Sequence, residues 1–91
     1  MAVYMIGYDL ITPGKDYNTL VQAITQVFPT HWHCLDSTWL IVSDLSSQQI
    51  RDYLLTFIDS NDRLLVAQMG RSAAWTNSFN TGCQNWLRTN L

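Results

Sequence analysis

The chain has no glutamate. All seven of its acidic residues are aspartate, and four of its five basic residues are arginine, leaving Lys15 as the single lysine. Charged residues make up 13% of the 91 positions, about half of the ~25% usual for soluble domains. With a net charge of −2 and no Lys/Arg cluster, the basic face of an ordinary nucleic-acid module is excluded. Intrinsic disorder is excluded from the other side, because 47% of the residues are hydrophobic and 12% aromatic. Cysteine is scarce as well. Cys34 and Cys83 fall far short of a disulfide-dense secreted scaffold, and the chain does not open with a basic segment, apolar run and small-residue cleavage site. A reduced pair in a cytoplasmic protein is therefore expected, with a single bridge between the two as the alternative. No apolar run approaches the ~18–20 residues that span a bilayer. No Gly-x-Gly-x-x-Gly, P-loop, nucleophile elbow or zinc-knuckle pattern occurs.

What is present reads as one domain over residues 1–91, with a core over 1–70 and an extension over 71–91. Ala2–Tyr8 is an almost unbroken apolar run, the pattern of a central strand, and Thr12-Pro13-Gly14 supplies a turn after it. Tyr17, Leu20, Val21, Ile24, Val27 and Phe28 recur at helical intervals, which predicts a first helix over 16–28, closed by Pro29. Thr30–Leu35 and Ser37–Ser43 are rich in aromatic and β-branched side chains and predict a hairpin about Asp36-Ser37. Ser46 and Gln49 have the spacing of a capping box, and Ile50, Tyr53, Leu54, Phe57 and Ile58 follow as a second helix. Arg63–Met69 reads as a fourth strand. Phe79, Cys83, Trp86 and Leu87 outline a short C-terminal helix.

A β-α-β-β-α-β order is solved most economically by a ferredoxin-like α+β fold, a four-stranded antiparallel sheet with two helices on one face. Right-handed crossovers then give the strand order fourth, first, third, second. In that topology Asp9, Asp36, Asp59 and Asp62 gather at one edge of the sheet. Asp9 is the strongest candidate for chemistry. It ends an apolar strand, where a carboxylate can reach out to a hard divalent cation, and two copies in a dimer would make a Mg²⁺ pair. The plainer reading has Asp9 starting the loop by bonding nearby backbone N–H groups. Asp36, Asp59 and Asp62 stand where turns want aspartate. His31 and His33, two apart on a strand, share a face, but a zinc site needs a third ligand and Cys34 points away from them. Cys34 reads as core. Tryptophans 32, 39, 75 and 86 could stack bases, although such residues more often fill a core or an interface.

The first strand VYMIGYDL, ending at Asp9, resembles that of the small CRISPR-associated adaptation proteins and is similar to the virulence-associated protein D ribonucleases. HWHCLDSTWLIVS (His31–Ser43) and DSNDRLLVAQMG (Asp59–Gly70) resemble short bacterial and phage relatives of that superfamily. The resemblance spans roughly the first seventy residues and implies a homodimer of ferredoxin-like subunits. It further implies that Asp9 is the catalytic residue and the ligand of Mg²⁺ or Mn²⁺ in a metal-dependent ribonuclease. One lysine and a net charge of −2 argue against a duplex-DNA scaffold. The rival expectation is a non-catalytic binding protein, phage-encoded in one version, that captures a small nucleotide or blocks a host protein. Its support is a desolvated, Trp/Asn/Gln/Thr-rich surface.

Overall fold

Side chains on β1 (Ala2–Asp9) alternate: Tyr4, Ile6 and Tyr8 are buried, and Val3, Met5 and Gly7 are half-buried between them. Both faces of this strand are therefore covered, as its apolar run requires. The computed structural model describes residues 1–11 and 18–91. Over those residues β1 is followed by α1 (Asn18–Val27), β2 (His31–Leu35), β3 (Thr38–Ser43), α2 (Ser47–Leu55), β4 (Arg63–Gln68) and α3 (Thr81–Asn90). The Thr12-Pro13-Gly14 turn and the expected first helical turn at Asp16 and Tyr17 lie outside the described residues.

The four strands form one antiparallel sheet of order β2-β3-β1-β4, which is fourth, first, third, second when read from the β4 edge. On one face Tyr4, Ile6, Tyr8, Trp39 and Ile41 meet Leu20, Ala23, Ile24 and Phe28 from α1 and its end, and Ile50 and Leu54 from α2. The Trp39 indole N–H donates to the Tyr8 hydroxyl at 3.2 Å, so the one polar atom of that ring is satisfied inside the core.

Helices do not stay on one face. The opposite face carries a second core in which Trp32 and Leu40 meet Leu87 of α3, joined by Val3, Met5, Met69, Trp75 and Phe79. Residues 71–91 thus close the sheet's second side. The expectation of reduced cysteines is also corrected, because Cys34 on β2 and Cys83 on α3 are joined in a disulfide across 49 positions. Both lie on the second face, a proximity created only when α3 folds back onto β2. Asn80 caps α3 by accepting the Cys83 N–H at 2.8 Å, so the helix begins after Phe79 and not at it. The capping box of α2 forms as read, with Ser46 and Gln49 reciprocating at 3.1 and 2.9 Å. That helix ends at Leu55, earlier than the periodicity predicts, because Thr56 and Phe57 turn to three-residue hydrogen bonds on Tyr53 and Leu54.

Candidate functional site

The period of two along a strand places Met5, Gly7 and Asp9 in a row on the face that carries α3. Their register partners extend the row sideways: Leu40 and Thr38 on β3, Leu65 and Arg63 on β4. Only part of this face is roofed. Over Met5, Leu40 and Trp32, the segment 73–79 and α3 form an open-sided cavity of about 440 Å³ walled by Trp75, Phe79 and Leu87. That volume lies within the range of small-molecule sites. The wall is fixed at several points. Trp32 donates its indole N–H to the Cys83 carbonyl at 3.2 Å and packs its ring 5.6 Å from that of Phe79. The disulfide ties the first turn of α3 to β2 beside them.

Beyond the roof the face opens into a shallow groove of about 390 Å³, floored by Gly7 and rimmed by Asp9, Ser37, Thr38, Arg63 and Leu65. Thr38 lines both spaces, so they are consecutive compartments of one surface. Gly7 keeps the step between them low: a Cβ built there meets nothing within 4 Å. The result is an aromatic box that leads into a groove edged by one carboxylate and one guanidinium.

Asp9 lies at the exposed end of β1, directly across from Arg63. Among the described residues neither side chain is closed into an ion pair or hydrogen bond, so both charges face the groove. Asp36, at the β2–β3 turn, and Asp59 and Asp62, before β4, lie at the same end of the sheet. They are spread across its width and do not converge. Asp62 holds the backbone around it, since its two carboxylate oxygens accept the N–H of Ile11 at 2.9 Å and of Asp59 at 2.8 Å. Among the described residues no three His, Cys, Asp or Glu side chains are grouped to hold a metal. A lone carboxylate faced by arginine does not fit Mg²⁺ or Mn²⁺ within one chain, since the guanidinium supplies the positive charge that a cation would bring.

His31 and His33 share a face as expected, and what they face is Trp39. The His33 ring stacks on the indole at 4.0 Å and 5°, and His31 packs at 5.5 Å. Their Nδ1 atoms lie 2.8 Å from the Phe28 carbonyl and 3.1 Å from the Thr38 carbonyl. A carbonyl can only accept, so each ring donates through Nδ1–H. These are packing histidines. The sequence offers Trp32 and Trp75 as stacking residues but does not mark Phe79 and Met69 as site residues, because these adjoin a stretch, 71–77, with no regular period. Its aromatic spacing is a signal, but it gives no indication of which sheet face the segment covers.

No protein-family model matches the chain, and no solved structure matches it significantly.

Proposed function

We propose that this chain is a non-catalytic binding protein for a small planar aromatic ligand of nucleoside size, built on a ferredoxin-like arrangement of the sheet. The ring would sit among Trp32, Trp75 and Phe79, and an uncharged or zwitterionic polar end would reach Thr38, Ser37, Asp9 and Arg63. The observation that carries this reading is the aromatic-walled cavity of about 440 Å³ opening beside Thr38 into the Asp9/Arg63 groove. Stacking on aromatic faces supplies affinity without the cations that this composition lacks. Opposite charges at the rim favour a neutral ligand, because a phosphate attracted by Arg63 would be repelled by Asp9.

The ribonuclease reading places Mg²⁺ or Mn²⁺ on Asp9 and needs a second copy of Asp9 to complete the donor set. The ligand reading needs no residue from outside the chain, and it is the one favoured. Among the described residues no helix is long and apolar enough to cross a membrane. We also propose that the protein resides where the Cys34–Cys83 bond is maintained, in place of the reducing cytoplasm expected from its cysteine count.

Calorimetric titration with adenosine and with N-acetyl-tryptophan amide tests the ligand reading. At about 0.3 kcal/mol per non-hydrogen atom, the expected Kd is on the order of 10–100 μM. Trp75→Ala should weaken binding by about tenfold, the value of one stacked ring. Failure of both probes to bind, or equal binding by Trp75→Ala, overturns the reading. RNA cleavage with Mg²⁺ that is lost in Asp9→Asn would favour the ribonuclease instead.

A further inference from the structure

Both faces of the sheet are occupied, by α1 and α2 on one side and by α3 with residues 73–79 on the other. Among the described residues no strand covers either edge of the sheet, and the two edges differ. Strand β2 is irregular between Trp32 and Leu35, a feature that blunts an edge. Strand β4 keeps one unbroken register against β1, from Tyr4↔Gln68 to Asp9↔Arg63. It contains no proline and a single charge, Arg63, at its start.

The pairing fixes where the β4 backbone points. Met69 donates its N–H to the Val3 carbonyl at 2.8 Å, so by antiparallel alternation Ala67, Leu65 and Arg63 also turn their backbone groups toward β1. From the other side, Tyr8 donates its N–H to Ser37 at 3.2 Å, as the same alternation requires of even-numbered positions on β1. Leu64, Val66 and Gln68 therefore direct N–H and C=O outward, along an edge that no described strand covers. Between them Leu65 presents a side chain that is 58% exposed.

We propose that β4 pairs antiparallel with β4 of a second copy about a two-fold axis at Leu65, joining the two sheets into one. Symmetry limits the register to those that pair residues of one face, and the exposed Leu65 places the axis. A two-fold axis normal to the sheet keeps each face on its own side, so partners across it must share a face. Leu65 then lies opposite the partner's Leu65, and Leu64 lies opposite the partner's Val66. The outward backbone groups of Leu64 and Val66 exchange hydrogen bonds in both directions with those of the copy. Leu65 occupies the non-hydrogen-bonded position, where Cα atoms approach to ~4.5 Å and side chains touch. The charges are compatible. Arg63 falls opposite the partner's Ala67, about 13 Å along the strands from the partner's Arg63. Any extended peptide could satisfy the backbone groups, but an exposed leucine at the symmetry point is what a second copy of this chain requires. The two Asp9 carboxylates would lie about 20 Å apart in this dimer, too far to share a metal.

The proposal goes beyond the ligand reading and stands or falls separately from it. The test is light-scattering mass over a concentration series of the intact, disulfide-bonded chain. Wild type should pass from monomer to dimer, and Leu65→Arg, which sets like charges face to face, should associate at least about tenfold more weakly. Leu65 is exposed, so circular dichroism of that variant should match wild type. Should it not fold, Leu65→Cys decides the matter. Cys34 and Cys83 are bonded to each other, so the new thiol is the free one and should give a covalent dimer on oxidation. A monomer at every concentration, undiminished dimerisation of folded Leu65→Arg, or a failure of Leu65→Cys to crosslink overturns the proposal.

Discussion

Gly7 occupies an inner strand, where glycine weakens a sheet and where nothing sterically demands it. Its value is the open floor it leaves between Met5 and Asp9. Gly7→Val should raise stability, by up to about 1 kcal/mol on the strand-propensity scale. The same variant should weaken ligands that reach from the cavity to Asp9, because the new side chain stands in the groove. Thermal unfolding and the adenosine titration would show the two effects with opposite signs; a drop in melting temperature would contradict the open-floor geometry. At this scale the sequence is only partly informative. That His31 and His33 share a face follows from strand period alone, but that Trp39 fills that face requires the register of β2 against β3. Asp62 shows the same division: a turn aspartate is expected, yet the Ile11 N–H that it clamps lies 51 positions away.

Among the elements, α2 is the most legible, because the signals that start it are contiguous. Ser46 accepts the Gln49 N–H while the Gln49 side chain accepts the Ser46 N–H, and both bonds are made by residues three apart. Ser46→Ala should therefore cost about 0.5–2 kcal/mol in chemical denaturation, with the loss confined to equilibrium stability. Helix α3 is legible as a helix but not in its place. Its apolar stripe of Cys83, Trp86 and Leu87 predicts that one face is buried, and two sheet faces are available to receive it. Sequence distance does not distinguish them. Helices α1 and α2 each connect strands that have one other strand between them and lie on the face with Tyr4, Ile6 and Tyr8, which leaves the other face to the C-terminal segment.

For the whole molecule, the second core and the disulfide act together. Closing a loop of 49 positions stabilises the fold by about 4 kcal/mol on the chain-entropy account, with 2–4 typical of measured bridges. The double variant Cys34→Ser, Cys83→Ser should lose about 2–4 kcal/mol in urea unfolding. It should also loosen α3 over the cavity, seen as faster amide exchange in Thr81–Asn90 than in β1. Unchanged stability would mean that the packing of Leu87, Trp32 and Phe79 holds α3 without help.

The scarcity of charge and the richness in aromatics are fixed by composition, and with them the exclusion of a basic nucleic-acid face. Strand and helix identities follow from periodicity, and the α2 cap from a four-residue motif, because each of these is a local property of the chain. Tertiary structure alone decides that Cys34 and Cys83 meet, that Trp75 and Phe79 roof the sheet opposite α1 and α2, and that Asp9 faces Arg63. Those outcomes depend on which faces and strands become neighbours, and contacts between distant segments are set by burial of the whole chain's apolar surface rather than by any short stretch of it.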